Sequence, residues 1–244
     1  MAGDQSKGWG LTQQPTDNQV REPDSLVLAP ETACRQSSSN SGPLGLFGGR
    51  FDPVHWAHLR IAQTVADQLG LPEVRWIVTG DPVHKSAEAS AQDRLAMVKL
   101  ALDELADPRM QADDREIVAA VKTGKPSYTV NTVAAIKAEQ PGRTLIWILG
   151  EDQLQKFQTW HRWEWLAKNM SLAVCARPEA FSAASLERIQ DLGGLIYWIK
   201  SQPNCVSSTQ IRKALFDQNL PNNTLPDSVK KYIFEHNLYQ TSAK

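Results

Sequence analysis

Between Leu44 and Ile199 the chain alternates short runs of β-branched and aromatic residues with longer stretches whose apolar positions recur every three or four residues. The runs LGLF (44–47), VRWIVT (74–79), EIVAAV (116–121), TLIWIL (144–149), SLAVCA (171–176) and LIYWI (195–199) predict strands. Residues 56–69, 91–106, 129–139, 160–168 and 183–192 carry the helical period, and 208–218 and 226–236 predict two closing helices. Such alternation is the pattern of βα units on a mostly parallel sheet. With no internal repeat, it predicts one doubly wound α/β domain over residues 43–244.

Residues 1–42 are of different material. They are rich in Ser, Gln, Asn, Asp and Pro and have no sustained period, so they bury too little apolar surface to offset the entropy of ordering them. A disordered polar tail is expected there. Its acidic residues, among them Asp4, Asp17 and Glu22, argue against a transit peptide.

Composition narrows the function classes. With 41% hydrophobic and 22% charged residues and a net charge of −1, the chain lacks the basic balance of a general nucleic-acid or membrane binder. Cys34, Cys175 and Cys205 are far apart and odd in number, which fits neither a zinc knuckle nor a disulfide framework. No apolar run approaches the roughly 20 residues of a membrane span, and no signal-peptide core is evident. A cytoplasmic protein is expected, and its oligomeric state stays open.

Candidate chemistry concentrates in GLFGGRFDPVHWAH, residues 45–58. It follows the first predicted strand, at the carboxyl end where ligands of open α/β sheets gather. Gly48 and Gly49 let the backbone turn and approach a ligand. Pro53 marks the approach to a helix, whose free amides and dipole favour a phosphate. His55 and His58, three apart, would project from one face of its first turn. There they could donate hydrogen bonds to phosphate oxygens as charge builds up, although a solvated first turn would also accommodate two histidines.

Other phosphate loops fail on spacing. No G-x-G-x-x-G occurs, and TGKPSYT has Pro126 after Lys125 and Ala119 and Ala120 where a P-loop needs its first glycine. In VSSTQIRKAL (206–215) the hydroxyls of Ser207, Ser208 and Thr209 open a helix, where they could cap amides or bond phosphate. Arg212 follows Ser208 at i+4 with a guanidinium suited to a bidentate phosphate contact.

GGRFDPVHWAH resembles the G-G-[ST]-F-D-P-x-H-x-G-H motif of the nucleotidylyltransferase superfamily, and VSSTQIRKAL resembles its I-S-S-T-x-I-R motif. DPVHKS (81–86), KPSYTVNT (125–132) and GEDQLQKFQTWHRWEWL (150–166) are similar, in order and spacing, to the bacterial nicotinate mononucleotide adenylyltransferases. The resemblance covers 44–240 and omits the tail. It implies a Rossmann-like nucleotidylyltransferase fold. It also implies transfer of the adenylyl group of ATP to nicotinate mononucleotide, giving deamido-NAD and pyrophosphate, with ATP-bound Mg²⁺ and no protein metal ligand.

By the same resemblance His55, His58 and Arg212 are catalytic. Gly48, Gly49, Arg50, Phe51, Gly150, Asp152, Ser207, Ser208 and Thr209 would bind ATP, and His84, Lys85, Thr129 and Trp160 the mononucleotide. Trp160 would stack on the pyridine ring, although the helical spacing of Trp160, Trp163 and Leu166 also suits packing. Backbone amides around Thr129 and the Trp160–His161 stretch would select the acid over the amide.

Two positions depart from the pattern: Arg50 stands where the family has Thr or Ser, and Ala57 where it has Gly. Both bear on ATP affinity. Nicotinamide mononucleotide or phosphopantetheine as acceptor, or an inactive nucleotide sensor, are the alternative readings.

Overall fold

The computed structural model describes residues 42–80, 88–176, 183–200 and 206–240. The predicted tail other than Gly42, together with His84, Lys85, Cys34 and Cys205, lies outside the described residues. Six strands form one sheet: β1 (Leu44–Gly49), β2 (Glu73–Val78), β3 (Met110–Asp113), β4 (Leu145–Gly150), β5 (Ser171–Cys175) and β6 (Ile196–Trp198). Their order is β3-β2-β1-β4-β5-β6 and every neighbouring pair is parallel. The order reverses between β1 and β4, which is where a doubly wound sheet opens a crevice.

Parallel strands are buried on both faces, and two hydrophobic clusters show it. Phe47, Trp76 and Ile148 face one layer of helices. That layer holds α1 (Trp56–Leu69), α2 (Ala91–Leu105), α8 (Ser208–Phe216) and α9 (Asp227–Glu235), through residues such as Leu59, Met97, Ile211 and Val229. Leu44, Leu46 and Trp147 face the other, with Val133 of α4 (Thr129–Glu139), Leu154 of α5 (Glu151–Lys156), Leu166 of α6 (Trp163–Asn169) and Ile189 of α7 (Ala183–Asp191). No helix among the described residues is long and apolar enough to cross a membrane.

The expected strand at 116–121 is instead helix α3 (Arg115–Thr123). EIVAAV looks β-like because of Ile117, Val118 and Val121, yet only Ile117 is buried, and Val118 and Val121 are exposed at 56% and 76%. The strand in that βα unit is β3, whose Gln111 and Asp113 hide it from a hydrophobic scan. Among the described residues it pairs only with β2, so one of its edges has no strand partner there and polar residues are tolerated. The helix expected at 160–168 begins at Trp163, and α5 and a 3-10 turn at Phe157–Thr159 precede it.

Candidate active site

At the switch point β1 leads to α1 on one face and β4 to α5 on the other. Gly48 and Gly49 close β1, and their lack of a side chain serves packing. A Cβ on Gly48 would run into the Trp147 ring, and one on Gly49 would come within 2.9 Å of Phe51. Phe51 takes a left-handed backbone (φ 52°) and is buried. That conformation is costly for a bulky residue, and three rings hold it: Phe47, Trp76 and His58, with centroids 5.4, 5.1 and 5.2 Å away. The Asp52–Pro53 peptide is cis. Pro53 lies before the helix rather than in its first turn, because His55 is the N-cap of α1.

The two histidines do come together. Their rings stack with centroids 3.7 Å apart at 29°, and His58 N–H donates to His55 O at 2.9 Å. The Nδ1 atoms of both are buried without a hydrogen-bond partner among the described residues. Burial lowers the His55 pKa to about 4. Burial, and then the adjoining His55, hold His58 well below the usual histidine range. Both imidazoles are therefore neutral at pH 7, each with one N–H to donate and one nitrogen to accept. An arriving phosphate would favour their protonation, because an opposite charge within a few ångströms stabilises the cation.

The second motif, VSSTQIRKAL, is clasped to the first. Ser207 caps α8 through a reciprocal capping box with Gln210. Ser208 Oγ donates to Pro53 O at 3.0 Å. Arg212, buried, donates from Nε to Glu88 Oε1 and from Nη1 to Asp52 O, both at 2.8 Å. The hydroxyls of Ser207 and Ser208 thus serve the protein itself, and with Gln210 N and Ile211 N bonded to Ser207, the groups that face outward at this end of α8 are the exposed Thr209 hydroxyl and the Ser208 and Thr209 amides.

Several residues that hold the site were not singled out from the sequence. Asp52 is 1% exposed, and its carboxylate accepts from Glu88 N, Ala89 N and the Tyr239 hydroxyl at 2.9, 3.2 and 2.7 Å. Arg94, also 1% exposed, donates to three carbonyls: Arg50 O at 2.8 Å, Gly80 O at 2.9 Å and Ala89 O at 3.3 Å. Arg94 had a legible signal, a charge on the same helical stripe as Met97, Val98 and Ala101. Tyr239 had none, because its partner lies 187 residues away.

Across the crevice, Trp160 is half-buried beside Trp147 and Phe157, with centroids at 6.2 and 5.4 Å. Thr129 is the first residue of α4, and the rings of Tyr128 and His161, 4.8 Å apart, bring that helix start to the Trp160 turn. The expected amide of Trp160 is not available to a ligand, since it donates to Phe157 O at 3.0 Å. The α4 start rests on Glu116, a buried residue whose carboxylate accepts from Thr132 Oγ1 at 2.6 Å. Burial pushes the Glu116 pKa up. Gly150 caps α5, and Asp152 in its first turn is exposed and accepts from Gln153.

A groove of about 480 Å³ also opens between α1 and α8, lined among others by Trp56, Ala57, Val206 and Gln210. Neither histidine lines it. Among the described residues no three His, Cys, Asp or Glu side chains are grouped to hold a metal.

Residues 46–214 match the cytidylyltransferase-like family. A protein of Neisseria meningitidis serogroup B, described as "Probable nicotinate-nucleotide adenylyltransferase", is 39% identical over 206 residues, which are 81% of this chain and 98% of the relative. One of the same description from Dechloromonas aromatica is 38% identical over 223 residues, 83% of this chain and all of the relative. The fold is shared with Plasmodium falciparum nicotinic acid mononucleotide adenylyltransferase complexed with NaAD, at a TM-score of 0.66 and 18% identity over 81% of this chain and 97% of that one. The sheet order, the clasped motifs and the relatives agree: the chain belongs to the cytidylyltransferase-like family and, within it, to the nicotinate-nucleotide adenylyltransferases.

Proposed function

We propose that this site transfers the adenylyl group of ATP to nicotinate mononucleotide, as the names of the relatives indicate, and that it does so in the cytoplasm. A phosphate oxygen of the mononucleotide attacks the α-phosphorus of ATP in line. The new P–O–P bond of deamido-NAD forms as the bond to the β-phosphate breaks, and pyrophosphate leaves. The observation that carries the reading is the stacked, neutral His55–His58 pair beside the N-terminus of α8, which Ser208 and Arg212 tie to the same loop.

The histidines are assigned to the reacting phosphates. Their N–H groups would gain strength as negative charge grows on those oxygens, which is differential stabilisation of the transition state. The amides at the start of α8 and the Arg212 guanidinium are assigned to the leaving pyrophosphate. Glu88 already occupies the Arg212 Nε, so the triphosphate competes with a carboxylate for that donor. Trp160 and the α4 N-terminus at Thr129 are assigned to the pyridine ring and its substituent. His84 and Lys85 keep their assignment to the mononucleotide phosphate on motif alone, as do Gly150 and Asp152 to the adenosine side.

ATP enters as its magnesium complex. Mg²⁺ would keep water and phosphate oxygens as ligands and need few from protein. It would neutralise phosphate charge. The test is pyrophosphate release by the purified protein with ATP and, in parallel, nicotinate mononucleotide, nicotinamide mononucleotide and phosphopantetheine. Highest kcat/KM with nicotinate mononucleotide is expected, and release driven by phosphopantetheine alone would overturn the assignment.

A further inference from the structure

We propose that Tyr239 is a positioning residue for the adenylyl transfer, acting through Asp52 on the loop that carries the histidines. The proposal rests on the catalytic reading above, and the geometry is as follows. Asp52 begins the four-residue stretch that ends at the His55 cap. Its carbonyl is held from one side by Arg212 Nη1, and the following carbonyl, of Pro53, by Ser208. Its carboxylate is held from the other side by two backbone amides and by the Tyr239 hydroxyl, the shortest of the three contacts at 2.7 Å. Val54, the one residue left before His55, is fully buried. The path of the loop is therefore fixed at successive residues, and one of its anchors comes from the end of the chain.

The tyrosine is built for this contact. After α9 the chain turns back, with Leu238 N–H donating to Ile233 O at 3.0 Å, and Tyr239 takes a left-handed backbone (φ 60°) that leaves it 7% exposed. Such a conformation is uncommon for a bulky residue outside a functional or strained position. Burial and the Asp52 carboxylate both hold the phenol in its protonated, donating form. Oδ2 accepts from Glu88 N and Oδ1 from Ala89 N, and the hydroxyl gives Oδ1 a second and shorter donor.

The same part of the fold supplies a control. Tyr232 on α9 donates its hydroxyl to Asp93 Oδ1 at 2.9 Å, an equivalent bond at the start of α2 that does not touch the 51–55 loop. Tyr239→Phe and Tyr232→Phe each remove one phenolic donor from a carboxylate and keep the ring. Two readouts are compared below the melting temperature of each variant: the imidazole ¹⁵N resonances of His55 and His58, and steady-state kinetics with ATP and nicotinate mononucleotide.

Tyr239→Phe should shift the histidine resonances and lower kcat about tenfold, as expected for a small misplacement of catalytic groups, with both KM values within twofold. Tyr232→Phe should leave resonances and kcat at wild-type values. Asp52→Asn should lose at least as much as Tyr239→Phe, because its NH₂ would face a backbone N–H, and the double variant should be no worse than the more impaired single. Unmoved resonances with kcat within twofold in Tyr239→Phe, equal losses in the two tyrosine variants, or additive losses in the double variant would each overturn the proposal. A wild-type protein that released no pyrophosphate would instead overturn the adenylyl-transfer reading, and the histidine resonances would still decide the link. If Tyr239→Phe does not fold, the resonances of Asp52→Asn decide it alone.

Discussion

The ring of Trp147 on β4 fills the space into which a side chain at Gly48 on β1 would project. Leu46 and Trp147 are partners in the register, so Gly48, two residues on, lies on the same face of the sheet. Trp147 in turn meets Trp160 edge-on at 6.2 Å. The proposed phosphate loop and pyridine pocket are thereby linked by one indole.

Gly48→Ala should consequently disturb both ends of the site. Overpacking of this kind costs about 1–3 kcal/mol, read as a lower urea midpoint, and displacement of Trp147 should raise the KM for the mononucleotide. A variant with an unchanged midpoint and KM would show that the indole moves freely and links nothing.

Replacing either histidine by alanine should lower kcat by about 10²-fold or more, as for loss of a transition-state donor. Loss of one ring also removes the stacking partner of the other, so the double variant should be little worse than either single. Steady-state kinetics across the three variants check this, and near-full turnover by one would remove that histidine from the mechanism.

Acid should unfold the protein through the same pair. A folded-state pKa near 4 for His55, against 6.5 for the exposed side chain, means that the unfolded chain binds the proton more readily. Stability is then present in full above about pH 6.5 and is lost as pH falls toward 4. The loss from His55 is roughly 3 kcal/mol if the whole shift is realised. His58, shifted in the same direction, adds to it. Urea midpoints at pH 7.5 and 5 should differ less in His55→Gln than in wild type, and equal differences would show that His55 does not control the acid limb.

Much of this site was legible because its chemistry is local in sequence. The spacing of His55 and His58 predicted a shared face, and the structure stacks them. The strand at 116–121 failed because β-branched residues on a short exposed helix look like a strand, while the real edge strand is polar. Arg94 was signalled by its place on an apolar stripe, whereas Asp52 and Tyr239 escaped notice because a buried polar group is recognisable only by its partners. Those partners lie 36 to 187 residues from Asp52.

Preference for nicotinate over nicotinamide mononucleotide should rest on the start of α4. The Thr129 and Val130 amides have no intrahelical acceptor and the helix dipole is positive there, whereas Asn131 N–H already donates to Tyr128 O and Trp160 N–H to Phe157 O. A carboxylate accepts from such donors with both oxygens, and a carboxamide can offer only one. One charge-assisted bond of about 1.5–3 kcal/mol corresponds to roughly 10- to 150-fold in kcat/KM. Equal kcat/KM for the two substrates, at one ATP and Mg²⁺ concentration, would mean that acceptors line the pocket.

Arg94 holds three carbonyl oxygens, those of Arg50, Gly80 and Ala89. These three contacts follow the course of the main chain, and the one at Arg50 is made to its carbonyl whatever side chain that residue carries. Position 50 can therefore exchange a small hydroxyl for a guanidinium without altering the route of the loop, so the charge offered to a triphosphate becomes adjustable while the placement of the histidines is inherited unchanged. For an engineer, position 50 is where nucleotide affinity could be retuned with the scaffold left as it stands.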